Sequence, residues 1–365
     1  MDYIEEKALA PSAIVNHSDT YDEILSQGAV WQEVLRTLER CPTLASIIEG
    51  SRCRQSWIFA GCGTSFYLAE AAAFSWTALT GQTAHALPGS EVLLYPEMLR
   101  AHGGKVQAVV ISRSGKTSEA VRAANVLRQE LKISAIGFTC AENSPLEQAC
   151  EASILLNPAD EKSTVMTRSF TSLLIALQFM AAKRAGNTAF RGQLITMAEQ
   201  LAPRIIALAS QIEAFVDRHS FSDYVFLGQG GFHGIAREAA LKVMEMSCSY
   251  SQFFHTLEFR HGPKAIVGSQ TCLTFYLSEM GYKAEVEVLA EMKELGAVIV
   301  TVCNRASDAV KRNSDLVIEM NFAGHELALL APYVVPSQLM GFFTGIRKGL
   351  NPDAPKNLTR VVMLD

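Results

Sequence analysis

Residues 106–117 read VQAVVISRSGKT, a nearly continuous apolar run that ends in a short turn rich in hydroxyl groups. A continuous apolar run of this length is typical of a strand that is buried on both faces, as in a parallel sheet. The turn predicts the end of that strand, and a helix is predicted to follow from about residue 116 to 131. Residues 56–65, SWIFAGCGTS, show the same order of strand, glycine turn and helix start. Strands and helices that alternate in this way predict an α/β fold.

The second half of the chain repeats this plan. The first glycine turn begins 51 residues before Ser112, and the corresponding turn at Gly228 begins 50 residues before Ser278. This internal repeat predicts a tandem duplication of one doubly wound parallel-sheet domain, with the flavodoxin-like arrangement of three layers. Further strands are predicted at residues 134–140, 152–156, 224–227, 273–277, 297–302 and 315–320.

The chain divides around these two domains. Apolar residues recur at helical spacing near the N-terminus, and a helical stretch joins the two copies. The predicted organisation is a helical lead-in over 1–45, a first domain over 46–190, a helical linker over 191–220, a second domain over 221–350 and a C-terminal tail over 351–365.

The composition argues against several classes of function. Hydrophobic residues make up 49% and charged residues 19% of the chain, as in an ordinary globular protein with a large core. The formal net charge of −5 lacks the basic excess that binding to a nucleic-acid backbone needs. We identify no apolar stretch of the length of a membrane span and no apolar leader, so we expect a cytoplasmic protein that binds neither nucleic acid nor membrane.

The turn after the strand at 106–112 groups three hydroxyl side chains, Ser112, Ser114 and Thr117, around Gly115. A helix N-terminus presents unpaired N–H groups and a partial positive charge, and the hydroxyls can supplement these around a phosphate. The alternative is that Ser114 only caps the helix, as serine commonly does. Three hydroxyls and a glycine exceed what one cap requires, so we favour phosphate binding. The matching turn of the second half reads SEMGYK and keeps few hydroxyls, which places the anion site in the first domain.

A second group of candidate residues lies on a predicted helix that begins near Arg237. Glu238, Lys242 and Glu245 are spaced i, i+4 and i+7, so all three share one helix face. A row of surface ion pairs is the ordinary explanation of such a pattern. The rest of this helix is apolar, however, which indicates that the three charges are partly buried. Burial raises the pKa of a carboxyl group and prepares it for proton transfer near neutral pH.

His261 follows in the loop sequence RHGP, where a histidine can face a cavity. A single loop histidine is more often structural than functional. His233 and His255 do not give it a metal-ligand spacing, and the eight cysteines form no CxxC pair. We therefore expect no metal site and no cofactor.

Five motifs in order resemble the tandem SIS (sugar isomerase) family, and in particular the isomerase half of glucosamine-6-phosphate synthase. They are GCGTS at 61–65, SRSGKT at 112–117, VMTRSFT at 165–171, the charged helix at 238–245 and RHGP at 260–263. Each motif is weak by itself, but five in order at the family intervals are specific. The resemblance covers nearly all of the chain and implies two SIS domains.

The resemblance also implies a role for each motif. Glu245 would move a proton between C1 and C2 of a sugar phosphate, and Lys242 and Glu238 would orient it. His261 would open the sugar ring and would come from the neighbouring subunit, which implies a homodimer or a larger oligomer. The residues implied to bind substrate are Thr64, Ser65, Ser112, Arg113, Ser114 and Thr117 around the phosphate, and Thr164, Met166 and Thr167 around the sugar hydroxyls.

Two departures from the synthase bear on the activity. The resemblance starts close to the beginning of the chain, so we expect no glutamine-hydrolysing domain and no use of glutamine as the source of ammonia. Arg360 stands where the synthase carries a lysine, and an arginine forms no Schiff base because it does not lose its proton. Arg360 is therefore expected to assist catalysis by electrostatics or hydrogen bonding, from a tail that closes the active site.

These features favour an enzyme that acts on an amino-sugar or fructosamine 6-phosphate. It would be a deaminase or deglycase that works by proton transfer through an enediol or enamine. Three alternatives stay open: a plain aldose–ketose isomerase of phosphosugars, an ammonia-dependent enzyme like the synthase, and a non-catalytic regulator that binds sugar phosphates. The sequence does not choose among the sugars.

Overall fold

A computed structural model of the chain describes residues 18–100 and 105–364. This part of the chain contains two sheets of five strands, and every recorded strand pairing is parallel. Alternate residues of each strand pack into different apolar clusters, so both faces of each sheet are covered. The predicted α/β fold with two doubly wound parallel-sheet domains is confirmed.

The described chain begins with two helices, α1 (Asp19–Glu39) and α2 (Pro42–Gly50). Ser18 caps α1 by accepting a hydrogen bond from the backbone N–H of Tyr21. One face of α1 is buried, and its Trp31 donates a hydrogen bond of 2.8 Å to Thr171 in the first domain. The predicted lead-in is thus helical from Asp19 onwards, and its residues 1–17 lie outside the described residues.

The first domain has the strand order β2-β1-β3-β4-β5. Connections run from β1 towards one edge and from β3 towards the other, so the direction of winding changes between these two strands. Open α/β sheets bind ligands at this point, outside the carboxyl ends of the strands. The elements are β1 (Ser56–Gly61), α3 (Thr64–Thr80), β2 (Thr83–Pro88), α4 (Gly89–Leu94), α5 (Glu97–Arg100), β3 (Val106–Ile111), α6 (Ser118–Asn125), β4 (Ser134–Thr139), α7 (Pro145–Ala149), β5 (Ala152–Leu155) and α8 (Arg168–Arg184).

Two further helices, α9 (Thr188–Leu201) and α10 (Ile205–Arg218), lead to the second domain. Its strand order, β10-β9-β8-β6-β7, repeats the winding of the first domain. The elements are β6 (Asp223–Gly228), α11 (Gly231–Ser247), β7 (Tyr250–His255), β8 (Thr271–Tyr276), α12 (Tyr282–Glu294), β9 (Val298–Cys303), α13 (Asp308–Asn313), β10 (Leu316–Glu319) and α14 (Leu330–Arg347).

Two strands, β2 and β7, escaped the sequence analysis. Both lie at an edge of their sheet, and their sequences, TAHALP and YSQFFH, mix polar with apolar residues. Both strands are partly exposed and lack the apolar run that identified the other strands, which an edge position permits because an edge strand has only one neighbour.

The last long helix, α14, explains the longest apolar stretch of the chain. Within the described residues one segment, Glu326–Arg347, is long and apolar enough to cross a membrane by length and composition, a stretch that the sequence analysis overlooked. All of the tested window is buried inside the protein. Helix α14 packs against α11, α10 and α8 between the two domains, and a helix enclosed on all sides has no need of a polar face.

Candidate active site

Two turns of the first domain meet where its sheet changes winding direction. Strands β1 and β3 are paired in register, with Ala60 beside Val110, so the residues that follow them lie at the same edge of the sheet. Thr64 and Ser65 begin helix α3 after β1, and both are buried. The turn 112–117, called the phosphate turn below, follows β3. The sequence-predicted residues of these two turns are thus brought together.

The phosphate turn requires its glycine. Gly115 has φ +60°, and a Cβ at this position would lie 2.3 Å from Oγ of Ser144. Ser114 accepts a hydrogen bond of 3.2 Å from the backbone N–H of Lys116. Thr117 is the N-cap residue of α6, but its side chain makes no capping hydrogen bond. Ser114 is therefore not the N-cap residue of α6, so the capping alternative does not hold for it, and the hydroxyl of Thr117 is not used as a cap either. Phosphate binding by this turn stays a prediction.

The charged residues of α11 form a buried cluster. Glu238 and Lys242 are fully buried, and the side chain of Glu245 is 17% exposed. Nζ of Lys242 lies 3.3 Å from Oε1 of Glu238 and makes a closer contact with Oε2 of Glu245. The same Nζ donates to Oγ1 of Thr64 at 3.1 Å, and Thr64 donates to Glu238 at 3.3 Å. The cluster of the second domain thus contacts the first turn of the first domain.

Burial and charge set the protonation of this cluster. Burial raises the pKa of Glu238 to about 8, although the neighbouring Lys242 lowers it. Burial lowers the pKa of Lys242, but the carboxylates of Glu238 and Glu245 outweigh that effect and raise it overall. Lys242 therefore stays cationic at neutral pH, and it holds Glu245, the member of the cluster that solvent reaches, in a fixed orientation.

The residues implied to face the sugar lie in an irregular segment, 160–167, called the strap below. Thr164 and Met166 are half-buried, whereas Thr167 is fully buried. The backbone N–H and the hydroxyl of Thr167 donate to Oε1 of Glu161 at 2.7 and 2.8 Å. In this structure the hydroxyl of Thr167 binds within the strap itself, whereas Thr164 and Met166 keep accessible surface.

Two predicted site residues are turned towards the strap. The guanidinium of Arg113 is 4% exposed and lies 3.5 Å from Oε2 of Glu161. The side chain of Arg360 contacts Oδ1 of Asp160 at 3.0 Å and the backbone carbonyl of Glu161. The C-terminal tail therefore lies against the strap.

No recorded hydrogen bond or ion pair joins His261 to Glu245 within the described residues. Phe259 packs with Val225 and Leu227 on one face of the second sheet, in the cluster that includes α12. Tyr224 and Phe226 of the same strand face the opposite side, in the cluster that includes α11. The sheet therefore separates α11 and Glu245 from the exposed turn that carries His261, two residues after Phe259.

Three buried or capping carboxylates escaped the sequence analysis. Glu161 organises the strap, and Glu23 of α1 accepts hydrogen bonds from the backbone N–H and the hydroxyl of Ser163. Asp353 of the tail accepts bonds of 3.0 and 2.8 Å from the first backbone N–H groups of α1. Their partners lie far away in sequence, so no local pattern marks them. Within residues 18–100 and 105–364, no group of three His, Cys, Asp or Glu is arranged to hold a metal ion.

In the second domain, a side chain of the protein itself binds the turn that corresponds to the phosphate turn. Glu285 of α12 accepts hydrogen bonds of 2.8 Å from the backbone N–H and 2.9 Å from the hydroxyl of Ser278. Glu285 is fully buried, and burial raises its pKa to about 7. A carboxyl group of the protein thus occupies the position at which the first domain is expected to hold a phosphate.

This arrangement predicts a pH-dependent effect of Glu285→Gln. Because the folded-state pKa lies above the usual 4.5, the stabilisation that comes from the protonated carboxyl is lost as pH rises through about 7. The glutamine variant stays neutral, so its melting temperature relative to wild type should rise between pH 6 and pH 8.5. Thermal unfolding at both pH values measures this, with Glu119→Gln at the corresponding position of the first domain as the control. If the melting temperatures of Glu285→Gln and Glu119→Gln, each relative to wild type, changed equally between the two pH values, the raised pKa of Glu285 would be contradicted.

The fold has two tandem parallel-sheet domains, with a hydroxyl-rich turn at the winding change of the first and a buried carboxylate–lysine cluster beside it. The model of the SIS domain family matches residues 52–183 and 222–342. The chain therefore belongs to the SIS domain family.

Individual relatives are distant but span the chain. A D-galactosamine-6-phosphate deaminase of Escherichia coli is 24% identical over 94% of this chain and 93% of its own length. A glutamine–fructose-6-phosphate aminotransferase of Pyrobaculum aerophilum is 27% identical over 84% of this chain and 51% of its own, so the chain spans about half the length of that relative. The crystal structure of a glucosamine-6-phosphate deaminase of Thermotoga maritima matches 95% of this chain and 100% of its own, with 26% identity and a TM-score of 0.77. The structure of a tagatose-6-phosphate ketose/aldose isomerase of Escherichia coli matches 98% of both chains at 21% identity and a TM-score of 0.82, and shows the fold alone.

Proposed function

We propose that this protein is an enzyme that releases the amine from an amino-sugar or fructosamine 6-phosphate, with aldose–ketose isomerisation as part of the reaction. One observation carries the proposal. The buried cluster of Glu238, Lys242 and Glu245 contacts Thr64, which lies at the same sheet edge as the phosphate turn. A sugar whose phosphate is held by that turn would have its carbon chain beside a partly exposed carboxylate.

The proposed chemistry needs one base and no redox partner. For a 2-amino-2-deoxy sugar 6-phosphate in its open form, Glu245 takes the proton from C2, and the electrons of that C–H bond form the C1–C2 double bond. The π electrons of the C1 carbonyl move to O1, which takes a proton from solvent, and the product is an enaminol. Glu245 then returns the proton to C1, which leaves an iminium at C2. Water adds to C2 and ammonia departs, giving a ketose 6-phosphate. Lys242 keeps the carboxylate oriented throughout.

Ring opening is proposed to use His261 of the partner subunit. Phe259, two residues before His261, packs on the face of the second sheet opposite to the face that α11 covers, and this supports a histidine donated across an interface. The active form would then be a homodimer or a larger oligomer. We place it in the cytoplasm, because all eight cysteines are unpaired and four of them are buried thiols, as is usual in a reducing compartment.

Product analysis tests the activity. The purified protein is incubated with glucosamine 6-phosphate, galactosamine 6-phosphate and a fructosamine 6-phosphate, and released ammonia or amine is measured together with exchange of the C2 proton in deuterated water. Amine release supports the proposal. Proton exchange without amine release would show a plain isomerase, and thermal stabilisation without either would show a sugar-phosphate-binding regulator.

Removal of two hydroxyls tests the phosphate turn. The double variant with Ser114→Ala and Thr117→Ala should bind inorganic phosphate at least about tenfold more weakly, because each hydrogen bond to a charged group contributes about 1.5–3 kcal/mol. Titration calorimetry measures the affinity. The control is Ser307→Ala, which removes a serine that does cap a helix, α13. This control should lower the melting temperature and leave phosphate affinity unchanged, and equal phosphate affinity in both variants would contradict the site.

A further inference from the structure

Arg113 lies inside the phosphate turn, but its side chain makes most of its contacts elsewhere. Its Nη1 donates to the backbone carbonyls of Ser163 at 3.2 Å and Val165 at 3.4 Å, besides its contact with Glu161. Its Nη2 donates to the carbonyl of Thr164 at 3.2 Å. These acceptors all belong to the strap, so the side chain of Arg113 leaves the turn on which its backbone lies.

The same guanidinium also reaches the C-terminal tail. Nη2 of Arg113 donates to the backbone carbonyl of Arg360 at 3.1 Å. Two residues further on, the carbonyl of Val362 accepts a bond of 3.2 Å from the backbone N–H of Ser118, the first residue of α6. The backbone N–H of Leu364 donates to the hydroxyl of Ser118 at 3.0 Å. The tail thus lies along the start of the helix that follows the phosphate turn.

The guanidinium of an arginine suits this position because it is planar and permanently charged. The acceptors around Arg113 are one buried carboxylate and four carbonyl groups, which lie on two different segments of the chain. Arginine presents five donors in a fixed plane, whereas lysine presents one nitrogen that cannot span both segments. Glu161 balances the charge and at the same time binds the other end of the strap through Thr167 and the start of α8 through Ser169.

We propose that Arg113 is a positioning residue that couples the phosphate turn to the strap and the tail. Its backbone moves with Ser112 and Ser114 when the turn closes around a phosphate, and its guanidinium carries the strap and the tail with it. Phosphate binding thereby places the strap over the sugar and holds the tail closed. This inference rests on the proposed function, because it assumes that the turn binds the phosphate of the substrate, and it gives Arg113 a role other than the phosphate contact that the family resemblance implied.

The test separates coupling from phosphate binding. Arg113→Lys keeps the charge opposite Glu161, so the variant is expected to fold. Trypsin cleavage of the tail at Lys356 and Arg360 is followed by mass spectrometry with and without inorganic phosphate, and phosphate affinity is measured by calorimetry. In the wild type, phosphate should slow cleavage of the tail at least fivefold. In Arg113→Lys this protection should disappear, while phosphate affinity changes less than threefold.

A second arginine of the strap provides a matched control. Arg168 also holds the strap, through the carbonyl of Asp160 and the hydroxyl of Ser26, but its recorded contacts include neither the phosphate turn nor the tail. Arg168→Lys should keep the protection by phosphate. With a sugar phosphate that is turned over, Arg113→Lys should lower kcat at least tenfold and change KM less than threefold.

Two results would overturn the inference. Full protection of the tail in Arg113→Lys would show that no coupling passes through the guanidinium. A tenfold loss of phosphate affinity with protection retained at saturating phosphate would make Arg113 a phosphate ligand. Absence of phosphate binding in the wild type would overturn the inference together with the phosphate site, whereas binding without turnover of any sugar would overturn only the proposed activity.

Discussion

Glu245→Gln is expected to abolish nearly all turnover while leaving binding intact. The variant keeps the size of the side chain and a hydrogen-bond acceptor for Lys242, but an amide cannot take a proton from carbon. General base catalysis contributes about a hundred- to ten-thousand-fold to a reaction rate, so kcat should fall by that factor. Amine release and C2 proton exchange should fall together, since both depend on the same proton transfer.

The binding measurement makes this result specific. Phosphate affinity should change less than threefold, because Glu245 lies on α11 and the phosphate turn follows β3. Glu49→Gln, at an exposed carboxylate paired with Arg52, is the control and should retain full activity. If Glu245→Gln turned over substrate at the wild-type rate, the base would have to be another residue.

The parts of the fold that depend on local pattern were predictable from sequence. Apolar runs identified the central strands. Gly115 identified a turn, and the structure gives the reason: its backbone conformation and the proximity of Ser144 exclude a larger residue. The spacing of Glu238, Lys242 and Glu245 put three charges on one face of an apolar helix. That contrast predicted partial burial. In the structure Glu238 and Lys242 are fully buried and only Glu245 is partly exposed.

Contacts between distant segments were not predictable in this way. Arg113 pairs with Glu161 across 48 residues, and it binds the carbonyl of Arg360 across 247 residues. Neither contact leaves a periodic signal, since a single buried ion pair depends on the tertiary packing that brings its members together. The packing of Phe259, two residues before His261, on one face of the second sheet is likewise a tertiary contact that the loop sequence does not reveal.

Lys242→Met is expected to destabilise the protein by about 3–5 kcal/mol at pH 8, because removal of one partner leaves buried carboxylates without their cation. Methionine has a similar length and no charge, so the variant isolates the electrostatic contribution of Lys242. Urea unfolding at several pH values measures the free energy. Lys264→Met is the control, since this lysine is 40% exposed and pairs with Glu291 near the surface. Exposed pairs contribute roughly 0–1 kcal/mol, so the control should stay within that range.

The pH dependence identifies the cause of the loss. The pKa of Glu238 is already raised to about 8 by burial, and removal of the nearby ammonium raises it further. A carboxyl whose pKa is higher in the folded state than in the unfolded state loses its stabilising contribution as pH rises through the folded value. The loss in free energy of unfolding caused by Lys242→Met, relative to wild type, should therefore increase from pH 6 to pH 9. Adding Glu238→Gln to this variant removes the buried acid and should recover part of the stability at pH 9, since only the partly exposed Glu245 then lacks a partner. If this loss in free energy of unfolding were independent of pH and unchanged in the double variant, Lys242 would act through packing and would not neutralise the charge of the cluster.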